Sequence, residues 1–265
     1  MAILTVSREF GSGGRELAQA VASQLNYAYI DKQSILSDLK AAGNEWGKWA
    51  QDLDEHCPTV WEKYDWSFKG FSALIQSCIL NYALKDRVVL MGRGGNFLLK
   101  DIPSAFRVKF IAPLESRIER IMKRESVDKK TAKWLAEKTD SERACFIRSI
   151  YGKEWDDPYE YDRVFDTSAQ DEDEIINVIK ATLSKKEKSA VDIKPLRMRA
   201  EAARIKAALL TNPKFLIPTL DVYCDDKGIV LRGVVHTPKE HAAVEDEAKK
   251  LGKDIPVRCE LHYRR

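Results

Sequence analysis

The first eighteen residues constrain the fold more than any other part of this 265-residue chain. An apolar, partly β-branched run at 3–6 leads into Gly11-Ser12-Gly13-Gly14, and an amphipathic helical pattern begins near Arg15. A strand, a glycine loop and a helix in this order bring backbone N–H groups and a helix N-terminus to one point, where proteins bind phosphate. The segment therefore predicts an α/β fold with a phosphate-binding loop at its start.

This loop departs from the common pattern G-x-x-x-x-G-K-[ST]. With Gly13 aligned to the second glycine, the first glycine, the lysine and the Ser/Thr are replaced by Arg8, Gly14 and Arg15. Arg15 or Arg8 could supply charge to the phosphates, and Ser7 and Ser12 are the nearest hydroxyls for a metal ion. Glycines in such a turn also serve structure alone, because they adopt positive φ freely. The loop by itself leaves both interpretations open.

Composition and cysteine spacing exclude several classes of protein. Hydrophobic residues at 44% and charged residues at 32% indicate a folded globular chain. No apolar run approaches the roughly 18 residues that span a bilayer, and no secretory signal is visible. Five cysteines without C-x-x-C spacing predict reduced thiols in a cytoplasmic protein, with neither a disulfide framework nor a zinc site. No G-x-S-x-G motif is present, and a net charge of +3 is too small to indicate nucleic-acid binding.

The pattern of elements and charge predicts two units. In the first, with a net charge of −2 over residues 1–185, strands at 3–7, 27–30, 88–91, 107–111 and 163–166 alternate with helices at 14–25, 32–39, 68–84, 113–124, 129–139 and 172–184. The second, with a net charge of +5 over residues 186–265, has the order α-β-β-α-β: a helix at 200–210, a hairpin of strands at 220–224 and 229–235, a helix at 238–251 and a strand at 257–263. A charged segment with Pro195 predicts a linker between them.

Four of the six tryptophans lie in the tract 46–66. A helical layer that packs on itself or on a partner chain is the favoured interpretation, and a binding cage is the alternative.

A second signal for phosphate binding follows a buried strand at 88–91, which ends in Gly92-Arg93-Gly94-Gly95. In open α/β sheets, ligands bind beyond the carboxyl ends of the strands, and an arginine there can bind a phosphate through two N–H groups. A salt-bridged arginine at a strand end is the structural alternative.

A third signal is an arginine-rich tract. Arg117, Arg120 and Arg124 share one face of a predicted helix, and Asp140, Arg143 and Arg148 follow. Such a tract is usually a solvated helix face. Together with the glycine loop and Arg93, it predicts a mobile lid that closes over a donor nucleotide and neutralises phosphate charge.

Five segments occur in an order that resembles a known family. VSREFGSGGRELA, Tyr29-Ile30-Asp31-Lys32, MGRGGNFLL, Asp140-Ser141-Glu142-Arg143 and YGKEWDDPYEYDRVFDTS, within residues 1–183, resemble the cytidylate kinase-like family, a branch of the P-loop nucleoside monophosphate kinases. The resemblance implies a doubly wound, parallel-sheet P-loop kinase fold, ATP as phosphoryl donor, Mg²⁺, and CMP or dCMP as acceptor.

The resemblance also implies roles for individual residues. Asp31 corresponds to a position near the acceptor in that family, and Arg93 corresponds to the arginine that binds the acceptor. The phosphate-binding loop would contain Gly11, Ser12, Gly13, Gly14 and Arg15, with Arg8 beside it. The lid would contain Arg117, Asp140, Arg143 and Arg148. Arg15, Arg93, Arg117 and Arg143 would then act in catalysis, and no residue is assigned to a metal ion.

Two departures from true cytidylate kinases leave the activity open. The loop lysine is absent, with Arg15 in place of the metal-binding hydroxyl, and Met91 stands where an aspartate precedes the G-R pair. The first interpretation is a phosphotransferase that moves the ATP γ-phosphoryl to CMP, dCMP or a related small acceptor. The alternative is a catalytically inactive nucleotide-binding sensor whose C-terminal domain engages a partner or lipid.

The C-terminal segment from about Arg199 to Tyr263, with Gly228 and Gly233 in its hairpin, resembles a BON domain. The resemblance implies binding to a protein partner or a membrane surface. The predicted domains are therefore a kinase-like domain at 1–185, a linker at 186–198 and a BON-like domain at 199–265. Nucleotides are predicted partners, nucleic acid is not, and the sequence does not indicate an oligomeric state.

Overall fold

A parallel five-stranded sheet forms the centre of the first unit. The computed structural model describes residues 1–43, 46, 57–59, 61–62, 65–189, 192–217, 219–253 and 255–263. The sheet has the order β2-β3-β1-β4-β5. Its strands are β1 (Ile3–Arg8), β2 (Ala28–Ile30), β3 (Val88–Met91), β4 (Ala105–Ile111) and β5 (Arg163–Asp166).

Helices cover both faces of this sheet, as expected for a doubly wound fold. In chain order they are α1 (Gly14–Leu25), α2 (Lys32–Ala42), α3 (Trp66–Leu84), α4 (Gly95–Leu98), α5 (Leu114–Glu125), α6 (Lys129–Tyr151) and α7 (Glu172–Lys188).

Alternate side chains of each strand pack on opposite faces of the sheet, so each face has its own apolar core. On β1, Ile3 packs in a core with α2 and α3, whereas Leu4 and Val6 pack in a second core with α1 and α7. Neighbouring side chains of a strand point to opposite faces, so a strand buried on both sides is apolar almost throughout.

Because all five strands are parallel, their carboxyl ends lie at the same edge of the sheet, and this edge carries the candidate site.

The α6 helix is longer than the predicted 129–139. It continues to Tyr151 and ends at Gly152, whose φ of +62° is the left-handed conformation common at helix ends. The sequence prediction was wrong because Asp140 and Arg143 look like the polar end of a helix. In the structure Asp140 accepts the N–H of Phe10 and Arg143 donates to Arg8 O, so both side chains have hydrogen-bond partners while the helix continues.

The predicted linker at 186–198 is partly helical. The α7 helix extends through Lys188, and α8 (Lys194–Leu210) begins with Pro195 in its first turn, where a missing backbone N–H costs nothing. Leu196 and Ala200 are buried in the core that α3 shares with the sheet. Arg199 donates from Nη1 to the carbonyl oxygens of Leu98 (2.7 Å) and Lys100 (2.8 Å). The helix after the linker thus joins the first unit to the second.

The second unit has the predicted order α-β-β-α-β. After α8 come β6 (Asp221–Asp225), β7 (Gly228–Val235), α9 (Pro238–Gly252) and β8 (Val257–Tyr263). β6 and β7 form an antiparallel hairpin, and α9 crosses over to place β8 parallel to β7. The small mixed sheet buries its own core, which includes Ile205, Ile229 and Leu231. Whether this unit is a BON domain stays a prediction.

Cys57 and Cys145 form a disulfide, with Cα atoms 5.5 Å apart and a sequence separation of 88. The expectation of five reduced thiols without a disulfide is therefore wrong for this pair, while Cys78, Cys224 and Cys259 are free. Sequence spacing could not show the pairing, because the two cysteines meet only after α6 has packed on the rest of the fold.

Among the described residues, no helix combines the length and the apolar character needed to cross a membrane. Most of the tryptophan-rich tract 46–66, including Trp49, lies outside the described residues. Within it, Trp46 is buried in the first core and packs against Gly70, whereas Trp61 is exposed.

Candidate functional site

The glycine loop at residues 9–13 connects β1 to α1 and leaves the first turn of the helix without a side-chain cap. Gly13 precedes α1 with a φ of +81°, and Glu9 anchors the other end of the loop by donating its N–H to Phe110 O at 3.0 Å. The first N–H groups of a helix have no intrahelical acceptor, and the helix dipole adds positive potential there. This end of α1 can therefore bind a phosphate group.

Arginines hold the carbonyl groups of the loop. Arg143 donates from Nη1 to Arg8 O at 2.8 Å, and Arg117 donates from Nη1 to Phe10 O at 3.3 Å. Carbonyl oxygens repel an anion, so turning them toward guanidinium groups removes this repulsion from the ligand side of the loop. The N–H groups of Glu9, Phe10 and Ser12 are bonded within the protein, so a ligand would use those at the start of α1. The predicted lid residues Arg117 and Arg143 thus support the loop directly.

A second support holds Ser12. Arg120 donates from Nη1 to Ser12 O at 3.0 Å and to Thr167 Oγ1 at 2.9 Å. The Thr167 hydroxyl itself donates to Ser12 O at 2.6 Å. Arg120 was recognised in the sequence only as part of an arginine face, and its helical spacing alone could not distinguish a loop contact from solvent exposure.

Asp140 links these arginines to the loop backbone. Its carboxylate accepts the Phe10 N–H at 2.8 Å, Arg117 Nη1 at 2.6 Å and Arg143 Nη1 at 3.3 Å. Burial raises the pKa of Asp140, while the Phe10 N–H and the two arginines oppose the rise. The carboxylate is therefore the counter-charge that allows two arginines to lie together behind the loop.

A cavity of about 250 Å³ opens beside the loop at the carboxyl ends of β1 and β3. Its lining includes four arginines that the sequence predicts as site residues: Arg8, Arg15, Arg93 and Arg143. Asp31 also lines it, and its carboxylate caps α2 by accepting the N–H groups of Gln33 (2.9 Å) and Ser34 (3.3 Å). The structure thus brings together residues that are far apart in sequence.

The charge of this cavity is strongly positive. The described lining contains five cationic side chains, namely the four arginines and Lys32, against the carboxylates of Asp31 and Glu142. Burial lowers the pKa of Arg8, Arg93 and Arg143, and repulsion between neighbouring arginines lowers each further. A ligand with two or more negative charges would relieve this repulsion and accept charge-assisted hydrogen bonds.

Two predicted site arginines lie outside the cavity lining. Arg117 is behind the loop, as described above. Arg148 is exposed and donates from Nη2 to Glu154 Oε2 at 2.5 Å. Sequence reasoning also missed Trp155, a buried ring that lines the cavity and donates from Nε1 to Ser7 Oγ at 3.4 Å.

Metal ligands are sparse in this region. The described part of the chain contains no cluster of three His, Cys, Asp or Glu side chains that could hold a metal ion. The hydroxyl of Ser12 is buried in the loop and makes no hydrogen bond to another described residue. Ser7 Oγ, the other candidate hydroxyl, accepts from Trp155.

Gly11 is predicted to be a position where alanine is strongly destabilising. Its φ is +82°, and an added Cβ would lie 2.9 Å from Arg117 O and from the Ile121 side chain. We expect Gly11→Ala to lower the free energy of unfolding by about 2–3 kcal/mol in urea titrations, because backbone strain and a clash add together. Gly152→Ala is the matched control, since its φ is +62° but nothing lies within 4 Å. Equal losses for the two variants would contradict this explanation.

Sequence comparisons agree with the geometry. Residues 3–169 match the profile of the Cytidylate kinase-like family. A cytidylate kinase of Methanocaldococcus jannaschii is 30% identical over 184 residues, which cover 68% of this chain and 97% of that protein. A cytidylate kinase of Methanopyrus kandleri is 38% identical over 72 residues, or 27% of this chain and 37% of that protein.

A comparison of folds gives the same architecture. An uncharacterized protein from Eubacterium ventriosum superimposes with a TM-score of 0.55 at 22% identity, over 69% of this chain and 99% of that one. At this identity the likeness shows the fold alone. The family profile covers more than half of the chain, and the cytidylate kinase of Methanocaldococcus jannaschii is 30% identical over 68% of it. The chain therefore belongs to the cytidylate kinase-like family.

Proposed function

We propose that the protein is a phosphotransferase that moves the γ-phosphoryl group of ATP to CMP, dCMP or a related small phosphorylated acceptor. The observation that carries the proposal is the arginine-lined cavity that opens beside an uncapped helix N-terminus. Phosphoryl transfer depends mainly on positioning and on positive charge around the phosphates, and both are present here. The curated relatives named above are cytidylate kinases.

The donor phosphates would bind at the loop and the start of α1. The arginine and threonine contacts to the loop carbonyls leave N–H groups available on the ligand side. Mg²⁺ in such sites is held by one or two protein oxygens, by waters and by the phosphates themselves. The described residues fit this arrangement: they provide no all-protein cage, and the buried Ser12 hydroxyl is an oxygen without a hydrogen-bond partner in the loop. When bound, the ion would neutralise charge on the donor phosphates.

The acceptor would bind in the cavity with its phosphate on Arg8, Arg93 and Arg143. These three side chains are half-buried and mutually repulsive, so a phosphate dianion would stabilise all three at once. The acceptor phosphate is already a nucleophilic oxyanion, so the residues need to orient it rather than remove a proton. Asp31, at the start of α2, would contact the nucleoside part.

Arg15 would take the place of the missing lysine. It lies in the first turn of α1, borders the same cavity and is exposed. Arg8 is less suited, because its Nη1 reaches across to Gly92, where an added Cβ would be only 2.9 Å away. The Arg8 side chain therefore extends toward the proposed acceptor site and away from the proposed donor loop.

A matched pair of variants tests the assignment of Arg15. We expect Arg15→Ala to lower kcat about 10- to 100-fold with a small change in the KM for CMP, because an exposed charge contributes less than a buried one. Arg15→Lys should retain more activity than Arg15→Ala, since it keeps the charge. The assay couples ADP formation to a spectrophotometric signal. Equal kcat values for the wild type and Arg15→Ala would contradict the assignment.

The decisive experiment for the activity is a panel of monophosphate acceptors, assayed beside calorimetric titrations of ATP and CMP. Turnover with CMP, dCMP or another member of the panel supports the enzyme. Tight binding of both nucleotides without turnover would overturn the proposal in favour of the alternative, an inactive nucleotide sensor. In that alternative the C-terminal unit, a BON-like domain in contact with α3 through α8, engages a partner or a lipid surface. The proposed location is the cytoplasm, where ATP and nucleoside monophosphates are available; this proposal rests on the substrates and no longer on the thiols, because the Cys57–Cys145 disulfide is uncommon in that compartment.

A further inference from the structure

The turn after β3 has an unusual backbone. Gly92, Arg93 and Gly94 are consecutive left-handed residues, with φ values of +71°, +58° and +77°. Glycine adopts this conformation freely, but arginine does so only at a cost, because its Cβ crowds the following carbonyl oxygen. A strained residue of this kind persists where its surroundings hold it, and such residues concentrate at functional sites. The contacts of Arg93 therefore bear on its function.

Tyr151, the last residue of α6, contacts the main chain of this turn. Its hydroxyl donates to Arg93 O at 2.5 Å. Its ring lies so close to Gly94 that an added Cβ there would be 2.1 Å from Tyr151 Cε2, and it stacks on Phe97 with a centroid separation of 5.6 Å. The position of the phenol ring is thus fixed from two sides. Burial raises the pKa of Tyr151, which keeps the hydroxyl protonated as a donor.

The same helix contacts the other end of Arg93. The Arg93 Cζ lies 5.3 Å from the centre of the Phe146 ring, which also lines the cavity. Phe146 and Tyr151 are both on α6. One helix therefore holds the carbonyl of Arg93 and supports its guanidinium where the side chain enters the cavity.

We propose that Tyr151 is a positioning residue for the acceptor site. Its hydroxyl holds Arg93 in the left-handed conformation, and this conformation directs the guanidinium into the cavity. Tyr151 does not line the cavity itself, so it acts through Arg93. The inference rests on the proposed function in one respect, namely that Arg93 binds the acceptor phosphate.

Tyr151→Phe tests the proposal with little change in packing, because the ring is retained. We expect the KM for CMP to rise about 10-fold, with kcat within twofold of the wild type and the KM for ATP unchanged. Tyr159→Phe is the matched control, since Tyr159 is 86% exposed and should leave all three constants unchanged. In an Arg93→Ala background, Tyr151→Phe should have no further effect on the KM for CMP, because residues that act through one another are not additive.

A crystal structure of the Tyr151→Phe protein separates this proposal from the proposed function. We expect residue 93 to leave the left-handed region and its guanidinium to leave the cavity. If φ stays near +58° and the effects on the KM for CMP are additive in the Arg93→Ala background, the positioning role is wrong. If residue 93 is displaced while the KM for CMP is unchanged, the positioning role stands, and the assignment of Arg93 to the acceptor phosphate is wrong.

Discussion

Replacing Arg93 by alanine is expected to lower kcat/KM for CMP about 1,000-fold. The side chain is half-buried at the carboxyl end of β3, and partial burial and the charge of Arg8 lower its pKa. Losing one partner of a buried, charge-assisted pair costs about 3–5 kcal/mol, which corresponds to this loss of rate. The measurement is steady-state kinetics with varied CMP at saturating ATP. Affinity for ATP, measured by calorimetry, should change little, because Arg93 is proposed to bind the acceptor and not the donor.

The control for this prediction is Arg197→Ala. Arg197 is an exposed arginine on α8, so its loss changes the net charge equally without reaching the cavity. We expect its kinetic constants to match those of the wild type. A loss of less than tenfold for Arg93→Ala, in a protein with an unchanged melting temperature, would contradict the role of Arg93 in acceptor binding.

Removing the disulfide between Cys57 and Cys145 is expected to lower the free energy of unfolding by about 4–5 kcal/mol. The bridge closes a loop with a sequence separation of 88 residues. In the chain-entropy model, closing a loop of this length restricts the unfolded chain by that amount. Cys145→Ser should therefore unfold at a much lower guanidinium concentration than the wild type under non-reducing conditions.

Reductant provides an independent check on the disulfide. Wild-type protein in excess dithiothreitol should approach the stability of Cys145→Ser, which itself should not respond to reductant. Cys224→Ser serves as the control, because Cys224 is free. Titration of five reactive thiols in the unreduced, denatured wild type would show that the bridge does not form in solution.

Local sequence patterns predicted the first unit in detail because its signals are local. A continuous apolar run defines β1, and the glycine loop together with the amphipathic pattern defines α1, whose observed limits are those expected. The meeting of Arg8, Arg15 and Arg93 in one cavity also followed from topology, because the carboxyl ends of parallel strands share one edge, whereas Arg143 on α6 was expected nearby only as part of the arginine-rich tract.

The features that sequence could not predict depend on contacts between distant segments. The left-handed Arg93 is contacted at its carbonyl oxygen by Tyr151, which is 58 residues away. Where α6 continues past Asp140, the carboxylate accepts the N–H of Phe10 from a loop 130 residues away. In both cases a residue that looks unfavourable for its local structure is stabilised by a tertiary hydrogen bond, and no local pattern reports such a bond.

The length of α6 has a consequence for the energetics of binding. Asp140, at the middle of the helix, contacts the glycine loop, and Tyr151, the last residue of the helix, contacts the turn after β3. A helix moves as a nearly rigid body. We therefore expect a displacement of the glycine loop to shift the turn after β3, because both are bonded to the same helix. If the two segments bind the two nucleotides as proposed, we expect the affinities to be thermodynamically linked, with each ligand changing the dissociation constant of the other by the same factor.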